Sequence, residues 1–251
     1  MIYVTGDCHS DFVRFNKENF PEQEEMIKDD YVIVCGDFGG VWNVNGESKR
    51  EKWWLDWLEN KSYTTLFVDG NHENFDRLNS YPVEEWNGGK VHKIRPSVLH
   101  LMRGQVFQLA GKKIFTFGGA ASHDISGGIL EPDDPDFKVK KKELDQDWKS
   151  YRINHVSWWV QELPSEEEMQ EGLYNLSLHG KKVDFIVSHC CSSSTQAVIG
   201  VGMYKPDMLT QYLEQIQQKV TYKKWFIGHY HDNKNVNGKE VLLYEQIIRI
   251  L

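Results

Sequence analysis

Six short runs of apolar, mostly β-branched residues recur along the chain, and each run ends in a polar loop. They cover residues 2–5, 31–35, 64–68, 113–117, 183–187 and 224–227. The runs are apolar nearly throughout instead of alternating with polar residues, which is typical of strands covered on both faces. They therefore predict buried strands that each lead into a polar loop.

Amphipathic stretches between these strands predict helices. Residues 48–60 and 205–219 both place large apolar side chains at helical spacing. Two further helices are expected over residues 155–163 and 165–179, and Ser165 and Glu168 give the second one the spacing of a capping box.

Residues 98–117 have a different sequence pattern, because three short apolar runs are separated by glycine-containing turns. This pattern predicts a meander of antiparallel strands. Residues 240–251 predict a closing pair of strands. Alternating strands and helices around a meander indicate helices packed outside two sheets.

The composition is that of a folded chain, since 40% of the 251 residues are hydrophobic and nine are tryptophan. The formal net charge of −8 argues against a broad nucleic-acid-binding surface, which would be basic. There is no apolar window of about 18 residues, no leader pattern and no metal-type spacing among the cysteines. We therefore expect a cytoplasmic protein with reduced cysteines and no membrane contact.

The polar loops also carry the residues that could bind metal ions. The candidates are Asp7, His9, Asp37, Asn71, His72, His189, His229 and His231. Sites in open α/β sheets form beyond the carboxyl ends of strands, so these loops can converge. The mixture of carboxylate, imidazole and amide oxygen suits manganese, iron, zinc or nickel.

In chain order these loops read Asp7-Cys-His9, Gly36-Asp37, Gly70-Asn71-His72-Glu73, His189 and Gly228-His229-Tyr-His231. In this the chain resembles the calcineurin-like metallophosphoesterases, whose ordered signature is DxH, GD, GNH(D/E), a later H and GHxH. The resemblance extends from residue 6 to residue 231. We expect an α/β fold, namely a four-layer α/β/β/α sandwich of two mixed sheets flanked by helices, with a dinuclear metal site at the strand ends.

The resemblance implies a role for each matched residue. One ion would be held by Asp7, His9 and His231, the other by Asn71, His189 and His229, and Asp37 would bridge the two. The expected cofactors are two divalent ions, with manganese as the first choice and iron, zinc or nickel as alternatives. His72 would stay outside the ligand shell and face the phosphate, with Glu73 or Asp69 orienting its ring.

The residue types suit this chemistry independently of the family. Two ions about 3.5–4 Å apart need a bridging group, and Asp37 is the carboxylate placed to supply it. A water held between the ions would lose a proton near neutral pH and attack phosphorus in line. His72 could then act as the general acid, because an imidazole titrates near neutral pH and can protonate the leaving oxygen.

One departure from the family bears on the substrate. Many protein phosphatases and dinucleoside polyphosphate hydrolases of this family read GDxVDRG at the second motif, whereas residues 36–41 here read GDFGGV. The second acid and the phosphate-clamping arginine are missing, which argues against those two activities. Fewer cations remain for a monoester dianion, so we favour a phosphodiester, such as a nucleotide or an RNA end.

Two further segments resemble one bacterial branch of the family, which carries a GGAxSxD-like loop and a paired tryptophan before an acid. Here these are residues 118–124 and the residues Trp158, Trp159 and Glu162. This second resemblance implies no particular substrate. We interpret residues 122–180 as an insertion over the active site within a single domain, residues 1–251.

Within that insertion, His123 and Asp124 are candidates for substrate contact, although a loop cap or a surface turn would explain them equally well. The two tryptophans are better explained as core than as a stacking platform, and the basic run at residues 138–142 as a solvated face.

The function we predict is metal-dependent hydrolysis of a phosphate ester, and two alternatives stay open. A non-catalytic scaffold would bind a partner, but such members have lost ligands or the general acid, which this chain retains. A single-strand nuclease would need a basic, aromatic-lined groove, which depends on whether Arg77, Arg95 and Arg103 gather with the tryptophans.

Overall fold

The computed structural model describes residues 1–251, and strands and helices alternate along this length. The strands are β1 (Ile2–Thr5), β2 (Tyr31–Val34), β3 (Thr64–Phe67), β4 (Val83–Trp86), β5 (Gly89–Arg95), β6 (Val98–Leu101), β7 (Gln105–Leu109), β8 (Lys112–Phe117), β9 (Ile129–Leu130), β10 (Arg152–Ile153), β11 (Phe185–Ser188), β12 (Lys224–Ile227), β13 (Lys234–Asn235), β14 (Glu240–Leu242) and β15 (Ile248–Arg249). The α-helices are α1 (Lys49–Glu59), α2 (Phe75–Leu78), α3 (Phe137–Gln146), α4 (Glu166–Leu178), α5 (Ser193–Ile199) and α6 (Met208–Lys219). Short 3₁₀ turns cover Val13–Phe15, Pro21–Glu25 and Val160–Glu162.

Two large sheets contain most of the strands. The seven-stranded sheet has the order β15-β1-β2-β3-β6-β5-β4, in which β1, β2, β3 and β6 are parallel. The six-stranded sheet has the order β13-β14-β12-β11-β8-β7, in which β14, β12, β11 and β8 are parallel. Because parallel strands end at the same edge, the loops that follow them within each sheet lie side by side.

Buried apolar side chains form three layers. One cluster combines residues of both sheets, for example Ile33 and Ile114, so the sheets face each other across it. A second cluster packs α1, through Leu55, against the outer face of the seven-stranded sheet. A third packs α4 and α6, through Leu176 and Leu213, against the six-stranded sheet. The predicted four-layer α/β/β/α sandwich is thereby confirmed.

The predicted strands are all present, with ends that differ from the expected bounds by two residues at most. Three predicted helices are also present, as α1, α4 and α6, and Ser165 and Glu168 form the expected capping box at the start of α4. No helix combines the length and the apolar character needed to cross a membrane.

The predicted meander over residues 98–117 is wrong. Within this range only β7 and β8 form a hairpin, whereas β6 pairs with β3 and β5 in the other sheet. The chain crosses between the sheets at Arg103, whose buried guanidinium pairs with Asp69. The closing pair of strands is also wrong, because β14 belongs to the six-stranded sheet and β15 pairs with β1.

The helix expected over residues 155–163 does not form. Residue 159 is extended, and only Val160–Glu162 makes a single 3₁₀ turn. The reason is tertiary: the Trp159 indole is fully buried and donates a hydrogen bond to Asp76 Oδ2 at 2.7 Å, which an unbroken helix would not allow. The burial of Trp159 agrees with its interpretation as core.

The hairpin of β4 and β5 was not predicted from the sequence. Asn87 and Gly88 connect the two strands and both have positive φ, of 48° and 91°. Asn-Gly is a strong hairpin signal, so the pattern was present in the sequence. Strand β4 is largely exposed, and its weak apolar character hid it.

Candidate metal centre

The predicted ligands lie in loops that follow five parallel strands. Asp7 and His9 follow β1, Asp37 follows β2, and Asn71 follows β3. His189 follows β11, while His229 and His231 follow β12 in the same sheet. Because the two sheets pack face to face, these loops come together at one edge of the sandwich.

One group of side chains combines Asp7, His9 and His231. The Asp7 Oδ2 atom lies 3.2 Å from His231 Nε2 and 3.8 Å from His9 Nε2. The two imidazole Nε2 atoms are 3.0 Å apart. These three side chains point at a common position and could hold a metal ion.

A second group combines Asp7, Asp37 and His189, which could likewise hold an ion. His189 Nε2 lies 3.5 Å from Asp37 Oδ1 and 3.3 Å from Asn71 Oδ1. The other carboxylate oxygen of Asp37 lies 3.7 Å from His9 Nε2. Asp7 belongs to both groups, and Asp37 approaches His9 of the first group with one oxygen and His189 of the second with the other.

These separations fit metal coordination. Two ligands that each lie about 2.1 Å from one ion are about 3.0 Å apart at octahedral angles and about 3.4 Å apart at tetrahedral angles. The distances within the cluster fall between 3.0 and 3.8 Å. The donor set of carboxylate, amide oxygen and imidazole suits divalent transition metals.

The backbone is held in a sparsely populated conformation at several of these residues. His9, Asp37, His229 and His231 have φ of 46°, 45°, 68° and 48°, in the left-handed region. Each such residue costs roughly 1–3 kcal/mol, and these outliers cluster at functional sites. The strain aims the side chains into the cluster.

Two glycines, which have no Cβ atom, leave space for the carboxylates of Asp37 and Asp7. A Cβ atom on Gly70 would lie 2.0 Å from Asp37 Oδ1 and 2.4 Å from the Asp37 backbone nitrogen. A Cβ atom on Gly228 would lie 2.4 Å from Asp7 Oδ1. The glycines that open the GNHE and GHYH motifs are therefore steric requirements of this arrangement.

Burial dominates the electrostatics of the cluster. Burial raises the pKa of Asp37, and the charge of Asp7 adds to this effect. Burial opposes ionisation of Asp7 too, but His189 and a hydrogen bond with His231 lower the pKa of Asp7 on balance. Burial disfavours protonated His189, yet Asp37 and Asp7 raise the His189 pKa overall. Two buried carboxylates this close favour a cation between them.

His72 borders the cluster without joining it. Its ring centroid lies 5.3 Å from that of His9 and 6.2 Å from that of Trp42, and its backbone nitrogen donates to Asp37 Oδ1 at 2.8 Å. A small cavity of about 180 Å³ opens beside this ring. Burial lowers the His72 pKa, Asp37 opposes this, and Arg152 adds to the lowering.

The expectation that Glu73 or Asp69 orients the His72 ring is wrong. The buried Glu73 carboxylate accepts from the backbone nitrogens of Phe38 and Gly39, at 2.7 and 3.3 Å, and so holds the loop after β2. Asp69 is turned the other way. It accepts from Arg103 at 2.6 and 2.9 Å and pairs with His100 Nε2 at 3.1 Å.

A hydrogen-bonded chain behind Asn71 was not foreseen. The Asn71 amide nitrogen donates to Ser122 Oγ at 3.4 Å, and that hydroxyl donates to Glu162 Oε2 at 2.6 Å. The Ser122 backbone nitrogen also donates to Glu162 Oε1 at 3.0 Å. All three residues are buried. The two segments noted in the sequence, residues 118–124 and 158–162, thus meet directly behind Asn71.

His229, a predicted ligand, lies beside the cluster but belongs to neither group of side chains. Its ring centroid is 4.9 Å from that of His189, and its Nε2 atom is 3.0 Å from His123 Nε2. Asp124 forms an ion pair with Arg152, with one contact of 3.0 Å between Oδ1 and Nε. Arg152 was missed by the sequence reasoning, because a lone arginine in an insertion carries no motif.

The three arginines considered for a nucleic-acid groove are all paired with carboxylates. Arg103 is buried against Asp69, Arg77 pairs with Glu51 at 2.8 Å, and Arg95 pairs with Glu47 at 2.6 Å. They do not combine into a free basic groove, which removes the feature that the nuclease alternative required.

Comparisons with known proteins agree with this arrangement. A family model described as calcineurin-like phosphoesterase matches residues 1–233. A lariat debranching enzyme of Danio rerio is 24% identical over 143 residues, covering 52% of this chain and 24% of that protein. Lariat debranching enzyme A of Xenopus laevis is 26% identical over 144 residues, covering 52% of this chain and 26% of that protein. The match therefore spans about a quarter of the length of these relatives.

Proposed function

This chain belongs to the calcineurin-like phosphoesterase family, and on that premise we propose that it hydrolyses a phosphodiester with the help of two divalent metal ions. Membership of this family supports metal-dependent phosphoesterase activity, and the choice of a diester as the substrate is part of our proposal. The observation that carries the proposal is the position of Asp37, whose two carboxylate oxygens each face a different group of ligands.

In this proposal one ion lies among Asp7, His9 and His231, and the other among Asn71, His189 and His229, with Asp37 contributing to both. Manganese is the metal we would test first, ahead of iron, zinc and nickel. When bound, such ions activate a water for attack on phosphorus and offset the charge that develops on the phosphoryl oxygens.

The residues of the chain supply the rest. His72 is the general acid in this proposal, because its ring faces the cavity beside the cluster and is not used as a ligand. The bond from its backbone nitrogen to Asp37 fixes the loop that carries the ring. His72 would transfer its proton to the leaving oxygen as the ester bond breaks.

The insertion forms one wall of the site. Ser122 and Glu162 hold the Asn71 amide so that its oxygen faces His189. The positive charge of Arg152 lowers the pKa of His72, so Arg152 is the cation of the insertion that acts on this part of the site. We propose that residues 122–180 belong to the same domain and contact the substrate through Arg152, with His123 and Asp124 at the border.

The preference for a diester has two supports. The second motif lacks the clamping arginine that a dianionic monoester would use. The relatives are named as lariat debranching enzymes. A nucleotide ester or an RNA end is the substrate type that this suggests.

The test is hydrolysis of aryl phosphate monoesters and diesters by manganese-loaded protein, with the variant Asp37→Asn. We expect metal-dependent turnover, higher for the diester, that Asp37→Asn abolishes. The matched control is Asp184→Asn, since Asp184 is a partly buried carboxylate at the opposite end of β11 from His189. Equal activity of Asp37→Asn and wild type would contradict the proposal.

A further inference from the structure

A second cavity, of about 290 Å³, adjoins the one beside His72. The two cavities share His9, Ser10, Gly39 and Trp42 as lining residues. The larger one continues from there to Trp54 and Arg50 on α1. A group esterified to a phosphate at the metal cluster would therefore extend along Trp42 into this space.

The residues that line the larger cavity combine flat aromatic rings with polar groups. Two indoles, Trp42 and Trp54, supply flat apolar surface, and Arg50 is an exposed guanidinium at the rim. Asn43 also lies at the rim, where its Oδ1 atom accepts from the Asn45 backbone nitrogen and its amide nitrogen remains able to donate. Indoles and guanidinium planes both stack on flat π-systems, and amide nitrogens pair with acceptors on a ring edge.

The wall that carries these groups is rigid. The Glu51 carboxylate accepts from the backbone nitrogens of Trp42, Asn43 and Ser48 at 2.6–2.7 Å. Arg77 neutralises the same carboxylate at 2.8 Å. A single buried acid thus holds the loop from residue 42 to residue 48 against the start of α1, so the cavity exists before a ligand binds.

We propose that this cavity binds the nucleobase of a nucleoside esterified to the scissile phosphate. The proposal rests on the proposed function, because the metal cluster defines where the phosphate lies. A flat heteroaromatic ring satisfies the indoles by stacking and presents acceptors to Arg50 and Asn43 at its edge. The volume admits one ring system and excludes a folded segment of a macromolecule.

The test compares two diesters that share one leaving group, thymidine 5′-(p-nitrophenyl phosphate) and methyl p-nitrophenyl phosphate. Wild-type protein should have a higher kcat/KM for the nucleoside ester. Trp54→Ala should lower kcat/KM for that ester by about 5- to 150-fold, the range expected for losing one stacked base, and leave the methyl ester nearly unchanged. Arg50→Ala, at an exposed position where folding is not at risk, should lower it about two- to fivefold.

Trp148→Ala is the matched control, because Trp148 is a tryptophan that is 94% exposed and does not line the cavity. It should behave as wild type on both esters. Equal losses on the two esters, or equal effects of Trp148→Ala and Trp54→Ala, would overturn the nucleobase site while leaving the phosphoesterase proposal intact.

Calorimetric binding of thymidine 5′-monophosphate separates the two proposals when turnover is absent. Binding to the manganese-loaded wild type that Trp54→Ala and Arg50→Ala both weaken would support the nucleobase site, even if neither ester were hydrolysed. In that case the proposed function alone would fail. Thymidine monophosphate that binds wild type and both variants equally would overturn the nucleobase site.

Discussion

Replacing Ser122 with alanine removes the hydroxyl that links Glu162 to Asn71. In the wild type this hydroxyl accepts from the Asn71 amide nitrogen and donates to Glu162 Oε2. The substitution leaves both partners buried, since Asn71 is 4% exposed and Glu162 is also 4% exposed. The Asn71 amide then loses the bond that keeps its oxygen turned toward His189.

The size of the effect follows from these contacts. A buried polar group left without its partner costs about 1–3 kcal/mol. If the amide recovers that energy by turning away from the metal site, affinity for one ion falls by the same amount. At about 1.4 kcal/mol for each factor of ten, this corresponds to roughly 5- to 150-fold. The range agrees with the 10- to 100-fold losses typical of groups that orient metal ligands.

The assay is titration of metal-free protein with Mn²⁺, followed by electron paramagnetic resonance and by calorimetry. Ser122→Ala should weaken one of the two binding events and reduce the magnetic coupling between the ions. Ser122→Thr keeps the hydroxyl and should restore part of the affinity. These readouts do not depend on finding the natural substrate.

Ser97→Ala is the matched control. The Ser97 backbone nitrogen and hydroxyl both donate to Glu59 Oε2 at 2.7 Å, which copies the contacts between Ser122 and Glu162. Ser97 lies before β6, at the edge of the sheet away from the ligands. Loss of this hydroxyl should lower the free energy of unfolding without changing metal affinity. Two full-affinity manganese sites in Ser122→Ala would refute the reasoning.

Two further predictions concern stability and sterics. Burial and His100 lower the pKa of His92 to about 4, so the unfolded chain takes up a proton here more readily than the folded one. The contribution of neutral His92 to the free energy of unfolding is therefore fully present above about pH 6.5. It falls by up to about 3 kcal/mol as the pH drops toward 4. Urea unfolding at several pH values should show that His92→Asn removes this part of the acid sensitivity, and an unchanged pH dependence would contradict it. Gly70→Ala should abolish binding of the ions because its Cβ would overlap Asp37, whereas Gly238→Ala, with open space around it, should bind manganese as wild type does; normal binding by Gly70→Ala would be the contrary result.

The strands and the ligand loops could be predicted from the sequence because their signals are local. An apolar run such as residues 31–35 is buried in any sheet that covers both faces, and Asp37 follows it by covalent connection alone. The capping box of Ser165 and Glu168 is equally local, because both partners lie within one turn. The ordered motifs then identified the family, and the match over residues 1–233 confirmed it.

Pairing between distant segments could not be predicted in the same way. Strand β6 has the apolar pattern of a meander strand, yet it pairs with β3 because that position buries both of its faces. The extended backbone at Trp159 lets its indole donate a hydrogen bond to Asp76, which lies 83 residues away in the chain. Local pattern sets which face of an element is buried, and the competition among long-range contacts decides its partner.

The same division applies to the site. The sequence alone determined the types of the proposed ligands, their order and their position after strands, because each is carried by a short continuous loop. Only the tertiary structure decided that Ser122 and Glu162 stand behind Asn71 and that Trp42 and Trp54 border one cavity. The first relation joins a loop of the seven-stranded sheet to the insertion, and the second joins the loop after β2 to α1. Both exist only once these segments have packed together at one edge of the sandwich.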